Sequence, residues 1–325
     1  MHANIPFLRK SLHLIPIIPV YFIIITVTYS FTKYYFLDFF KISNQSVSNA
    51  EPSFLVTSIS LALKTLLIIT FYFSASMVFI CHLFSMFSIP GENPIWEKCL
   101  ESIKNINPDL YCKKCLLARP ERAHHCKICE KCILKMDHHC PWVANCVGLN
   151  NLKYFILFLF YATLGDFIAF FCLISKLIYI DIDAKINDYF VYGNKTVNKE
   201  STNSNNSAFD LFFLLKDPLL CFLGTIFAFF MTVSIGFLFA VQLNNVLKNK
   251  TTIELKIHEN KDSPYKYAHW RQNLESVMGD SVTYWFFPVY YEDVKYNAKK
   301  EKKQNSYLNL SDLEDNNLDL NVHEI

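Results

Sequence analysis

Net charge, glycine and repetition are scarce in this sequence of 325 residues. Lys and Arg number 31 against 29 Asp and Glu, and a net charge of +2 leaves no electrostatic footprint for a nucleic-acid partner. Charged residues make up only 18% of the chain, below the roughly one quarter of an ordinary soluble protein. No internal repeat is visible, which excludes an array of stacked units. The first apolar run is long, contains proline and has no small-residue cleavage site, so it reads as a retained helix and not as a removable signal. Glycine occurs only seven times, so each placement is informative.

What is present is apolar. The chain is 52% hydrophobic and 16% aromatic, with a mean hydropathy of +0.19, the profile of a polytopic membrane protein. Four runs approach the roughly 20 residues a helix needs to cross a bilayer. They are Leu12 to Phe31, about Ser58 to Phe84, Tyr154 to Tyr179, and Leu219 to Gln242. Pro16 and Pro19 are expected to kink the first. Between the second and third runs lies a segment crowded with cysteine. Reduced thiols at that density point to the cytosol, because an oxidising lumen favours disulfides. Four spans then put both termini on the cytosolic side, and Arg9, Lys10, Lys113, Lys114, Arg119, Arg122, Lys127, Lys131, Lys135 and Lys153 follow the positive-inside pattern.

The expected fold is therefore an α-helical polytopic membrane protein, with four transmembrane helices and a cytosolic Cys/His-rich domain between helices 2 and 3. Its divisions fall at 1–84 for the first helix pair and its luminal loop, and 85–153 for the cysteine-rich domain. Residues 154–243 hold the second helix pair and its loop, and 244–325 form a cytosolic tail. The Asn- and Ser-rich stretch from Gly193 to Ser207 reads as a solvated loop, and the tail from about Lys295 as solvated and without a core.

Chemistry concentrates between Cys112 and Cys146, which contain seven of the eleven cysteines and four histidines. Cys-x2-Cys steps at 112/115 and 126/129, with Cys132 and Cys146 beyond them, supply six thiolates for tetrahedral zinc. Two histidines would complete two Cys3His sites. That arithmetic leaves one cysteine and two histidines unspent, and a thiol beside an imidazole is the raw material of nucleophilic catalysis. Cys140 is the obvious spare. Because Pro141 biases the residue before it toward extended dihedrals, the strand ending there should alternate its side chains. His138 and Cys140 then share a face, with Asp137 available to orient the imidazole, while His139 points the other way, toward a metal. A zinc ribbon in which every Cys and His is a ligand or a spare remains the competing reading at this level.

The order of these residues resembles a known family. Cys112-x2-Cys115-x3-Arg119-Pro120, then His124-His125-Cys126-x2-Cys129-x2-Cys132, then Asp137-His138-His139-Cys140-Pro141-Trp142-Val143-x-Asn145-Cys146-Val147-Gly148-x2-Asn151 is similar to the cysteine-rich domain of the DHHC protein S-acyltransferases, commonly called palmitoyltransferases. Thr251-Thr252-Ile253-Glu254 looks like that family's Thr-Thr-x-Glu element, and Asn273-x5-Gly279 like its C-terminal motif. One departure is visible, since Ile89 precedes Pro90 and Gly91 where the family usually has an acid.

The resemblance implies two structural Zn2+ ions, one held by Cys112, Cys115, His125 and Cys132 and the other by Cys126, Cys129, His139 and Cys146. It implies a two-step transfer from a long-chain acyl-CoA, such as palmitoyl-CoA, through Cys140 to cysteines of membrane-associated proteins on the cytosolic side. His138 and Asp137 would complete the catalytic set. Trp142 would pack near the thioester, Arg119, Arg122 and His124 would meet the phosphates of CoA, and Gly165 would lie on the wall of the acyl-chain cavity. Thr251, Thr252 and Glu254 would support the site, with a Thr hydroxyl offered to Asp137, and Asn273 would satisfy buried backbone groups. A Golgi or ER membrane is the expected location, and the bilayer itself is a partner. A catalytically silent zinc scaffold and a zinc-dependent ubiquitin ligase are the other classes weighed, and neither needs the spare nucleophile that Cys140 provides.

Overall fold

The computed structural model describes residues 15–37, 39, 54–91, 111–119, 122–194, 207–257 and 265–289. Arg9, Lys10, Cys99, Pro120, most of the Asn-rich stretch and the tail from Lys295 lie outside the described residues. Among the described residues, four helices are long and apolar enough to cross a membrane. Helix α1 spans Ile17–Phe31 and runs on as a π-helical turn over Thr32–Phe36. Helix α2 is Phe54–Phe87, α3 is Leu152–Asn194 and α4 is Ser207–Leu247.

These bounds correct two expectations. Pro16 caps α1 and Pro19 falls in its first turn, where a missing N–H costs nothing, so neither residue kinks the helix. Both α3 and α4 continue well into the segments expected as luminal loop, because backbone bonding continues past the apolar run as far as Asn194 and begins again from Ser207.

Helix α3 is central, with 67% of its most apolar window buried against 11% for α4. One core brings Met77, Val78 and Cys81 of α2 together with Phe155, Ile156 and Leu159 of α3 and Val246 of α4. Cys140, Val143 and Val147 of the cysteine-rich segment enter the same cluster. A second core, around Phe31, Phe71, Ile168 and Ala169, packs the other end of the bundle. There the rings of Phe31 and Phe71 stack 3.8 Å apart. Asp166 of α3 is buried without a hydrogen bond or ion pair among the described residues.

Among the described residues the cysteine-rich domain holds three antiparallel two-stranded hairpins, with only small buried clusters around its cysteines, such as Ile133 and Met136 with Cys126 and Cys146. Strands β1 Tyr111–Cys112 and β2 Leu117–Ala118 pair, as do β3 His124–Cys126 with β4 Lys131–Ile133, and β5 His138–Cys140 with β6 Asn145–Val147. The domain is fastened to α2 through asparagine side chains. Asn145 Nδ2 donates to the carbonyls of Ser85, Met86 and Ser88 at 3.1, 3.2 and 2.9 Å, closing the C-terminal turn of the helix. Asn151 Nδ2 donates to the Cys146 carbonyl at 2.8 Å while its Oδ1 accepts from the Gly148 N–H at 2.8 Å.

Gly91 and Gly148 make this junction possible. Gly91 has φ +134°, a region L residues avoid, and its carbonyl accepts from the Leu134 N–H at 3.1 Å. At Gly148 the constraint is space, since an added Cβ would lie 2.6 Å from the Pro90 carbonyl oxygen and 2.7 Å from Ile133 Cγ2. Ile89 is exposed just before this contact, so the departure from the family's acid leaves the junction intact. Gly148→Ala is expected to destabilise the protein by about 1 to 3 kcal/mol through overpacking, read as a lowered Tm in detergent. An unchanged Tm would mean that the two backbones part freely.

Candidate active site

Each metal group is built from one Cys-x2-Cys knuckle and the two paired strands of the hairpin that follows. Where Cys112 and Cys115 turn, the Cys115 N–H donates to Cys112 Sγ at 3.4 Å, and Leu116 then takes φ 56° to reverse the chain. The second knuckle repeats the device, with the Cys129 N–H on Cys126 Sγ at 3.4 Å and Glu130 at φ 57°. Antiparallel register then sets His125 opposite Cys132 and His139 opposite Cys146. Two sets of four ligand atoms result, Cys112, Cys115, His125 and Cys132, and Cys126, Cys129, His139 and Cys146, each set within 4.8 Å.

The spacing fits zinc. Sulfurs bound at about 2.3 Å to one tetrahedral centre stand about 3.8 Å apart. Cys115 and Cys132 are 3.7 Å apart and Cys129 and Cys146 3.4 Å. Both histidines present Nδ1, with His125 3.1 Å from Cys115 Sγ and His139 3.4 Å from Cys129 Sγ. The donor sets are the ones the family resemblance assigned. Each is closed by four protein ligands, the arrangement of a structural site.

Cys140 belongs to neither set. It ends β5 with φ −104° and ψ 110°, the extended backbone that Pro141 demands, and its thiol is buried in the core shared with α3. His138 occupies the same face of the strand, edge-on to the Phe155 ring at 5.2 Å. Its Nδ1 lies 2.6 Å from Asp137 Oδ2. Burial opposes the charged imidazole, but the Asp137 carboxylate and the Cys140 thiol as hydrogen-bond partners outweigh it and hold the His138 pKa up at about 9. The reverse balance holds Asp137 below the usual carboxylate range, with burial opposed by His138 and Thr252.

Asp137 is 2% exposed and fully provided with donors. Thr252 gives it a backbone N–H at 2.7 Å and a hydroxyl at 3.0 Å, and Gln242 of α4 an amide at 3.2 Å. Thr252 is in place because Thr251 and Glu254 form a capping box on helix α5, Thr252–Ile257. The Glu254 N–H donates to Thr251 Oγ1 at 3.2 Å, and the Thr251 N–H donates to Glu254 Oε2 at 2.9 Å. The Thr-Thr-x-Glu element thus holds one threonine for the cap and the other for the carboxylate. Asn273 of α6, Trp270–Met278, takes the Tyr267 N–H at 2.9 Å and donates to the Leu247 carbonyl at 2.9 Å.

One residue read from the sequence as a ligand contact stands elsewhere. Arg122 is buried, with Nε 2.6 Å and Nη2 3.0 Å from the Glu254 carboxylate and further bonds to Asn249. A guanidinium so enclosed joins the zinc domain to α5 and has no face left for a phosphate. Gly165 is buried on α3, and a Cβ added there would rest 3.5 Å from Ser74 Cβ of α2, so it sits at a helix contact. By contrast Arg119 lines a basic cavity of about 420 Å³ with Lys113, Lys114 and Lys127, beside the first metal group. His124 is half-buried near it, its pKa lowered by burial and by Arg119. Trp142 is 51% exposed.

Sequence reasoning missed His82 and Gln242. His82 of α2 is buried, and its Nε2 donates to the Trp142 carbonyl at 3.0 Å, which in the neutral ring leaves Nδ1 to accept from Tyr21 of α1 at 3.2 Å. The turn after Cys140 is thereby tied to two helices. The only sequence signal was a polar residue inside an apolar run.

The family pattern described as DHHC palmitoyltransferase matches residues 105–259. The chain is 33% identical over 270 residues to Probable protein S-acyltransferase 13 of Arabidopsis thaliana, covering 77% of this chain and 80% of that protein. Over 187 residues it is 36% identical to human Palmitoyltransferase ZDHHC2, covering 55% of this chain and 43% of that protein. With zebrafish (Danio rerio) Palmitoyltransferase ZDHHC20-A it shares 38% identity over 184 residues, 55% of this chain and 44% of that one. The fold and site define a multi-pass membrane protein with a two-centre Cys/His domain. The chain belongs to the DHHC palmitoyltransferase family.

The opposed faces of β5 generate a metal test. His139→Ala is expected to lose one of two bound zinc ions and destabilise the domain, because binding and folding are coupled, while His138→Ala keeps both ions. Metal content by mass spectrometry decides, and equal loss in the two variants would refute the assignment.

The Asp137 carboxylate generates a second expectation. A raised folded-state pKa means that the His138 proton is held at neutral pH and released as pH rises through about 9. Asp137→Asn removes the first of the groups that raise it, so the imidazolium should titrate lower. Alkylation of Cys140 by iodoacetamide at pH 7 should then slow roughly tenfold for each pKa unit lost from the pair. An unchanged rate would mean that Asp137 serves the fold alone.

Proposed function

We propose that this protein is a protein S-acyltransferase that moves a long-chain acyl group, palmitoyl foremost, from acyl-CoA to cysteines of membrane-associated proteins. The observation that carries it is the one thiol outside both metal sets among the described residues of the zinc domain, placed on the same strand face as an imidazole that is itself bonded to a buried carboxylate.

The reaction runs in two steps. His138 holds the proton of Cys140 as an imidazolium, and the thiolate so formed attacks the thioester carbonyl carbon of acyl-CoA. The C–S bond to CoA breaks, and CoA leaves as a thiol with the proton from His138. A substrate cysteine then gives its proton to His138 and attacks the acyl-Cys140 carbonyl, which frees the Cys140 thiolate. Asp137 fixes the imidazole and stabilises its charged form in both steps. The two zinc ions would be held by the two ligand sets and would supply rigidity to β5. No ligand position is left for a water.

Binding follows from the surroundings. Trp142, half-exposed beside Cys140, is suited to pack on the thioester. The cavity of Lys113, Lys114, Arg119 and Lys127, with His124 near it, supplies the cationic character that the phosphates of CoA require. The acyl chain would lie among the spans, where a site wall at the α2–α3 contact by Gly165 remains a proposal for chain-length choice. The zinc domain and both termini face the cytosol, in a Golgi or ER membrane.

Purified protein given labelled palmitoyl-CoA should take up a hydroxylamine-sensitive label on Cys140. Cys140→Ser should abolish labelling and keep two zinc ions per chain. Loss of zinc in that variant would make Cys140 a ligand and overturn the mechanism.

A further inference from the structure

Beyond α6 the chain does not simply leave the bundle. A 3-10 turn over Val282–Phe286 is followed by extended chain, with Phe287 at φ −123° and ψ 143°. Two donors of α3 seize this segment, Tyr161 Oη on the Phe286 carbonyl at 2.6 Å and Lys153 Nζ on the Val289 carbonyl at 3.1 Å. Along a helix rising 1.5 Å per residue these donors stand about 12 Å apart. Extended chain from Phe286 to Val289 covers about 10 Å. The segment therefore runs alongside α3 in the opposite chain direction, with Phe286 at its deep end and Val289 nearer the zinc domain.

Its depth is that of lipid. Tyr161 lies well inside the span Leu152–Ile178, while one leaflet contributes about 15 Å of hydrocarbon, half of a core about 30 Å thick. One side of the segment faces the protein. Trp285 packs against the core that holds Cys140, with its Nε1 donating to the Gly279 carbonyl at 2.7 Å, and the Phe286 ring is 6.3 Å from Phe160. The other side is uncovered and apolar. Val282, Tyr284, Phe286, Phe287 and Val289 are 39 to 47% exposed, and no charged residue occurs between Asp280 and Glu292. Contiguous apolar exposure of this kind marks an interaction surface.

The backbone suits hydrocarbon as well as the side chains do. Irregular chain at membrane depth is tolerated only where its polar groups are met by protein. Here the Phe286 and Val289 carbonyls are taken by α3, the Phe287 N–H turns back to Tyr284, and Pro288 has no N–H to satisfy. A surface meant for water or for a transient protein partner has no need of such cover.

We propose that residues 282–289 form a re-entrant strap whose exposed face is seated in the acyl region of the leaflet beneath the zinc domain, with bilayer hydrocarbon as its partner. The inference rests on the membrane placement of α3 and is independent of acyl transfer. It accounts for the segment after α6, since the strap clamps α3 beside the core that carries Cys140 and the bilayer holds the strap in place.

The test uses the full chain in nanodiscs of palmitoyl-oleoyl-phosphatidylcholine, with Phe287 replaced by p-benzoylphenylalanine, close to the native ring in shape. The same replacement at Phe237, on the outer face of α4, shows what lipid labelling looks like. After irradiation, mass spectrometry should find adducts on phospholipid acyl carbons at both positions in comparable yield, with zinc content unchanged. Adducts at position 287 confined to headgroups, to a second protein chain or to this chain itself, or no adducts there while Phe237 labels, would overturn the strap. Because the readout is lipid attachment, it is separate from the palmitoyl-CoA assay in which acyl transfer itself would fail.

Discussion

A carboxylate sealed from water has to be met by donors, and Asp137 collects them from its own neighbour and from two distant parts of the chain. His138 is the next residue, Gln242 comes from the end of α4, and Thr252 from the start of α5. An unmet buried charge costs several kcal/mol, so these elements are held in register by the need to surround one group. The same bonds that assemble the fold also set the chemistry, because a carboxylate so well bound stays ionised and keeps its neighbour His138 charged. Structure and catalysis converge on one side chain.

A second buried pair extends that junction. Arg122 and Glu254 meet with both side chains almost fully buried, and Asn249 takes the remaining guanidinium donors. Such a pair contributes little net stability over an apolar replacement, but breaking it from one side strands a charge, at about 3 to 5 kcal/mol. Its value is geometric. By fixing Glu254 it fixes the capping box, and the capping box aims Thr252 at Asp137. On the opposite side of the domain, Asn145 and Asn151 both donate to carbonyls at the end of α2, Asn151 to Ser85 at 3.3 Å, and His82 restrains the turn after Cys140. Restraints from two sides position a strand too short to position itself.

Much of this was legible in the sequence, because metal spacing and apolar length are local patterns. The thiol grid, the spare Cys140, the alternation imposed by Pro141 and the four spans each depend on residues close together in the chain. What was not legible depends on contacts across long separations. Arg122 was assigned to phosphate by the family resemblance and its cationic character, and only the fold supplies Glu254, 132 positions away, to enclose it. Gln242 and His82 gave no periodic signal, and the partners that give them a role lie 105 and 60 residues off. Gly165 could be placed on a helix but not on a face of the bundle, since facing depends on which neighbour packs there. Helix ends were misjudged for another reason: apolar runs mark where a membrane can be, while backbone hydrogen bonding decides where a helix stops.

On the proposed function, the location of Cys140 answers a conflict between two substrates. At about 0.8 kcal/mol per CH2, an acyl chain of about sixteen carbons prefers an apolar surrounding by more than 10 kcal/mol. A CoA headgroup and a protein cysteine require water. The thioester joining these demands has to react at the boundary, so the nucleophile must be anchored in the apolar core without lying deep within it. Cys140 meets that condition through its strand. Its side chain packs with α2 and α3, while the residues that follow it, Pro141 and Trp142, are exposed. The hairpin that carries it is stiffened by the His139 metal set on one face. On the other face, the strand presents His138 to the carboxylate that organises the rest of the molecule. A two-faced strand three residues long, metal on one side and nucleophile on the other, lets one element serve stability and reaction at the membrane surface without requiring any side chain to do both.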